Sequence, residues 1–85
     1  MNWQIAAAGR ARKQLKRFPL ADADRIERAI DEMARDPFAG DIEKMGGQEN
    51  IWRRRVGAYR IFYEVFANQR MIRITEIRRR ASNTY

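Results

Sequence analysis

The chain has 85 residues, with 18 Lys and Arg against 11 Asp and Glu, a formal charge of +7 and a sequence pI near 10.8. It has no Cys and no His, which excludes disulfides, the usual zinc ligands and a histidine base, so no metal or cofactor is expected and chemistry falls to Arg, Lys, Tyr and carboxylates. That length is expected to form one domain over residues 1–85, and the positive surplus favours a polyanion, either nucleic acid or an acidic peptide, unless it serves solubility alone.

The opening Met1-Asn2-Trp3-Gln4-Ile5 lacks the basic flank and long apolar stretch of a secretion signal, and no apolar run approaches a membrane span, so a cytoplasmic protein without membrane contact is expected. Trp3 and Ile5 alternate with polar residues, which predicts a short strand over residues 2–6. From Ala7 to Phe18 the apolar residues Ala8, Ala11, Leu15 and Phe18 recur at helical spacing among Arg and Lys, and Pro19 ends the segment. Leu20 to Arg35 predicts a second helix, with Ile26, Ala29, Ile30 and Met33 on one stripe. Asp22 and Asp24 in its first turn and Arg35 in its last suit the helix dipole. Asp36 precedes Pro37, which biases it away from helical angles, so the chain should leave the helical hairpin and cross through Phe38-Ala39-Gly40-Asp41. Beyond residue 50, Ile51 to Val56, Tyr59 to Phe66 and Met71 to Arg78 are rich in aromatic and β-branched residues. They are separated by Gly57-Ala58 and by Ala67-Asn68-Gln69-Arg70, the pattern of an antiparallel meander. The expected fold is α+β: an N-terminal strand and a helical hairpin packed on one face of a mostly antiparallel sheet of about four strands. The other face is left to basic residues.

Trp52-Arg53-Arg54-Arg55-Val56-Gly57-Ala58-Tyr59-Arg60-Ile61-Phe62-Tyr63 resembles the central signature of RelE/ParE toxins. That signature is an aromatic-basic-x-basic-Val-Gly-x-Tyr-Arg run across a hairpin. The flanks agree: Asp36-Pro37 before a Gly-containing loop, an Ile-rich last strand, and an Arg near the C-terminus followed by a Tyr. The resemblance implies the toxin half of a type II toxin-antitoxin pair, neutralised by an acidic antitoxin protein. It also implies one of two activities. RelE-like members enter the ribosome and cleave mRNA, whereas ParE-like members inhibit DNA gyrase without a nuclease site. A non-catalytic nucleic-acid-binding module stands as the reading from outside the family. The mRNA endoribonuclease that inhibits translation is preferred.

By that resemblance Arg60 and Arg80 match the positions that stabilise phosphate charge, and Tyr85 falls near the catalytic C-terminal Tyr. Glu43 falls, across a one-residue gap, where one branch carries a glutamate base. Arg53 and Arg55, on one face of a strand, and Tyr59 are the expected substrate contacts, with Tyr59 equally open to a place in the core. Cleaving members often have lysines at the first two positions. Arginine stays protonated and cannot act as a base, so the base is left among other groups. The remaining expectations are structural. Arg54 should cover the core with its stem while its head reaches solvent, Trp52, Tyr63 and Phe66 should be core, Glu64 should pair with Arg60, and Arg78 and Arg79 should form a solvated strand end.

Overall fold

The computed structural model describes residues 2–47 and 50–80. Strand β1 (Gln4–Ala7) leads into helix α1 (Gly9–Arg17) and helix α2 (Leu20–Arg35), after which β2 (Ile42–Lys44), β3 (Ile51–Val56), β4 (Tyr59–Phe66) and β5 (Met71–Arg79) complete the chain. Proline sets both helix ends. Phe18 before Pro19 and Asp36 before Pro37 are extended, with ψ of 153° and 103°, because the proline ring excludes helical angles from the residue ahead of it. Of the two early acids only Asp22 lies in the first turn of α2; Asp24 instead pairs with Arg28 at 2.8 Å, one turn on.

Among the described residues the strands form one sheet in the order β1-β5-β4-β3-β2. The sheet has five strands rather than about four, because β2 pairs antiparallel with β3 through Ile42↔Arg54, Glu43↔Arg53 and Lys44↔Trp52. Three residues carry too little alternation to announce a strand. The β3–β4–β5 meander is antiparallel throughout, and only β1 runs parallel to its neighbour, β5. Two-residue hairpin loops of this hand need a positive φ, and Gly57 supplies it at +57° between Val56 and Tyr59.

Ala11 from α1 and Ile26, Ala29 and Met33 from α2 pack on Tyr59, Ile61, Tyr63 and Val65 of β4 and Ile72, Ile74 and Ile77 of β5. Each fully buried Ile stabilises the fold by roughly 1.5–3 kcal/mol relative to exposure. Helix α1 also guards the edge of β5 beyond the end of β1: Gln14 Oε1 accepts the Ile77 N–H at 2.7 Å, closing a backbone donor that no strand reaches. Among the described residues no helix is long and apolar enough to cross a membrane.

Two expectations about packing are corrected. Arg54 does not send its head to solvent. It is buried at 8% exposure, Nη1 donating to Ala29 O at 3.3 Å and Nη2 to Glu32, so the guanidinium ties β3 to α2. Phe66 lies outside the core, because Tyr59, Ile61, Tyr63 and Val65 occupy the helix-facing side of β4 and strand alternation turns Phe66 to the other face. Tyr63 is core as expected, fully buried with its hydroxyl donating to Pro37 O at 2.7 Å, and Trp52 packs partly buried against the cluster.

Candidate nucleic-acid interface

The face of β3–β4–β5 opposite the helices gathers the arginines. Antiparallel register places Arg55 beside Arg60 and Arg60 beside Arg78, a row of three across adjacent strands. Strands lie about 4.8 Å apart. Like charges directly opposite one another destabilise a sheet pair, so such a row needs anions nearby. The protein supplies some of them. Arg55 Nε lies 3.7 Å from Asp41 Oδ2, Arg78 Nε donates to Glu76, and Arg53 Nη2, one row away, donates to Glu43. Arg60, at the centre, has no ion pair among the described residues, and its Nε is sealed from solvent without a hydrogen-bond acceptor. An unmatched buried donor costs about 1–3 kcal/mol, and Arg54 Nε, on the helix side of β3, carries the same cost.

Of the residues singled out from the sequence, the fold brings together Arg53, Arg55, Arg60 and Glu43. Arg80 follows β5 directly, exposed, with its backbone N–H donating to Ala58 O beside the β3–β4 turn, and so continues the arginine series at that end. Tyr85 lies outside the described residues. Tyr59 does not join the cluster. It is on the helix-facing side at 4% exposure, its ring 4.6 Å from that of Phe18 and its hydroxyl donating to Asp22 at 2.7 Å. That hydrogen bond foremost, and burial after it, raise the phenol's pKa above its ordinary value and hold the proton on. Glu64 does not pair with Arg60 but with Arg73 of β5, at 3.7 Å, because register sets Glu64 opposite Arg73.

Arg78, Phe62 and Glu76 belong to this face; Arg78, expected as part of a solvated strand end, instead joins the arginine row, and neither Phe62 nor Glu76 is among the expected site residues. Regular alternation from Ile72 and Ile74 would turn residue 78 inward. A bulge in β5 shifts the phase between Phe62 and Tyr63, so Ile77 packs inward and Arg78 and Glu76 face outward. The signal was present: Ile77 breaks the even-numbered apolar series of Ile72 and Ile74. Among the described residues no group of Asp and Glu is arranged to hold a metal ion, and the chemistry open to this face is charge stabilisation by fixed guanidinium donors beside carboxylates.

Comparison with known proteins agrees with this fold. The family model for the ParE toxin of the type II toxin-antitoxin system, parDE, matches residues 5–84. A relative from Methanocaldococcus jannaschii named RelE1 is 28% identical over 83 residues, covering 94% of this chain and 92% of its own length. Among solved structures, RelE in the archaeal RelE-RelB complex from Pyrococcus horikoshii OT3 superposes with a TM-score of 0.86 at 24% identity, over 98% of this chain and all of that one. The RelB-RelE antitoxin-toxin complex from Methanococcus jannaschii gives 0.73 at 30% identity over 87% of this chain and 88% of that one.

Proposed function

Because the chain belongs to the ParE toxin family of type II toxin-antitoxin systems, within the RelE/ParE superfamily, we propose that it arrests translation as a ribosome-dependent mRNA endoribonuclease in the cytoplasm. The observation that carries the reading is the Arg55–Arg60–Arg78 row itself, in which the central Arg60 has no ion pair among the described residues. In this class of cleavage the ribose 2′-oxygen attacks the adjacent phosphorus in line. A P–O bond to the 2′-oxygen forms, the bond to the 5′-oxygen breaks, and a 2′,3′-cyclic phosphate remains. Negative charge builds on the non-bridging oxygens, where planar guanidinium donors held by a sheet are worth most. Arg60 grips those oxygens, with Arg55, Arg78 and Arg80 around it. Arg53 steers the strand and holds Glu43, the carboxylate that takes the 2′-OH proton. Tyr85 stacks on a base or returns a proton to the 5′-oxygen.

The same row would attract an acidic segment of an antitoxin, which neutralises by covering it. The RelE relatives of P. horikoshii and M. jannaschii are each seen bound to RelB. A second reading is favoured by two observations: the matching family model is that of ParE, and β3 offers arginines, which cannot lose a proton. On that reading the chain binds DNA gyrase through the same face and cuts nothing.

The test is the rate of cutting of ribosome-bound mRNA by purified Arg60 variants. Arg60→Ala should lose on the order of 10²-fold or more, the scale seen when one fixed donor to a developing charge is removed. Arg60→Lys, which keeps the charge and loses the fork, should also be clearly slowed. A folded Arg60→Ala protein that cuts at the wild-type rate removes Arg60 from the mechanism.

A further inference from the structure

Beside the arginine row the open face holds a shallow hollow of about 320 Å³, lined by Met45, Ile51, Phe62, Thr75, Glu76 and Arg78. Its floor is apolar, formed by the Phe62 ring with Ile51 and Met45. Its wall is polar, and the β5 bulge builds it. The extra residue, Thr75, turns its hydroxyl to Phe62 O at 3.2 Å, and Glu76 is set opposite Phe62 with its carboxylate on the open face. Arg78 forms the lid, its guanidinium 5.5 Å from the Phe62 ring centroid and its Nε donating to Glu76. The hollow shares its face with the Arg55–Arg60–Arg78 row. Phe62 lies two residues along β4 from Arg60, about 7 Å at strand rise, a span comparable to that from a nucleotide's phosphate to its base.

We propose that this hollow is a base-recognition subsite, in which Phe62 stacks on an RNA base next to the bound phosphate and the Glu76 carboxylate reads its edge. The inference rests on the endoribonuclease reading and adds the specificity of the same site. An aromatic ring beside guanidinium groups is the usual means of holding an unpaired base. A carboxylate only accepts, with two oxygens side by side. Guanine is the RNA base whose Watson–Crick edge offers two adjacent N–H donors, N1–H and N2–H, to match it. Arg78 couples the two events. In the free protein it covers the ring and holds one Glu76 oxygen, while Arg10 of α1 lies 3.9 Å from the other; the two arginine side chains are 63% and 70% exposed, free to swing. A phosphate on the row draws Arg78 away and uncovers the stacking floor and one Glu76 oxygen, and the base edge displaces the longer Arg10 contact from the other.

Two measurements test this. The first maps transcript 5′ ends from translation reactions with wild type, Glu76→Gln and Phe62→Leu. Wild-type cuts should be enriched for guanine at one fixed offset, and Glu76→Gln, which keeps the shape and loses the second acceptor, should lose about tenfold or more of that preference. Phe62→Leu should weaken the apparent KM about tenfold while the favoured base stays the same. The second follows the amide resonances of Phe62, Thr75 and Glu76 while the purified protein is titrated with each of the four ribonucleoside 5′-monophosphates, which share a phosphate and differ in base. The guanosine form should shift them at the lowest concentration. Cutting without a base preference, or a preference that Glu76→Gln retains, overturns the subsite and leaves the endoribonuclease reading standing. Should the wild type cut nothing, that reading falls and the titration decides alone: equal or absent shifts for all four nucleotides overturn the subsite.

Discussion

Arg54 is the inward-facing arginine of β3, and the loop beside it is shaped around its guanidinium. Gly40 has a φ of +85°, and a Cβ placed there would meet Arg54 Cζ at 2.8 Å and Nε at 2.9 Å. Two penalties therefore coincide: the left-handed backbone, about 1 kcal/mol for a non-glycine residue, and a clash with a buried group that has little room to retreat. Gly47 offers the internal control, since its φ is +74° but nothing lies within 4 Å of its Cβ position. Gly40→Ala should destabilise by about 2–3 kcal/mol and Gly47→Ala by about 1 kcal/mol in urea unfolding. Equal midpoints for the two would show that the Arg54 contact adds nothing. The consequence reaches the open face, because Asp41, next to Gly40, accepts the Arg55 N–H at 2.9 Å and faces the Arg55 side chain. Tyr63 gives a second residue-scale prediction. Burial, partly offset by Arg54, pushes its phenol up to about 12, above the value near 10 of an unfolded tyrosine. The folded state therefore keeps a proton that the unfolded chain releases, so the stabilisation is complete below about pH 10 and is lost as pH rises through about 12. That loss is on the order of 2 kcal/mol. Tyr63→Phe should cost about 1 kcal/mol at neutral pH through its bond to Pro37 O and should flatten the decline in stability from about pH 10 to about 12. Parallel wild-type and variant curves across that range would contradict it.

At the scale of elements, what the sequence made legible follows from how strongly each segment repeats. Leu20–Arg35, Ile51–Val56 and Tyr59–Phe66 were bounded correctly because proline, Gly57 and clear apolar periods mark their ends. Helix α1 was placed too long by two residues at its start, since β1 continues to Ala7 through its pairing with Ile74. Strand β2 was missed, its three residues holding only one apolar side chain on the helix side. That omission mattered for function, as β2 is what brings Glu43 beside Arg53 and turns a weakly aligned carboxylate into a neighbour of the arginines. The β5 bulge was missed for a different reason: alternation is a rule about regular pairing, and one unpaired residue reverses every side chain after it. Arg53, Arg55 and Arg60 were readable because the hairpin between them is short and regular. Tyr59 was ambiguous from sequence because its polar end could be satisfied by substrate or protein, and Asp22, far away along the chain, decides it.

For the whole molecule, the basic residues of the +7 chain gather in two places: α1 exposes Arg10, Arg12, Lys13, Lys16 and Arg17 without an acidic residue, and the open sheet face holds arginines set among carboxylates. One face of the sheet is closed by helices over an apolar core, and the other carries Arg53, Arg55, Arg60 and Arg78 with Glu43 and Glu76 at their flanks. A polyanion approaching this surface meets fixed guanidinium donors instead of a diffuse cloud of lysines, an arrangement suited to orienting a phosphate as well as attracting it. The most direct measurement adds the purified protein to a reconstituted translation reaction and, in parallel, to a gyrase supercoiling reaction. New transcript ends should appear inside translated codons, dependent on ribosomes and largely abolished by Arg60→Ala, with supercoiling unchanged. Intact transcripts together with inhibited supercoiling would contradict the endoribonuclease reading.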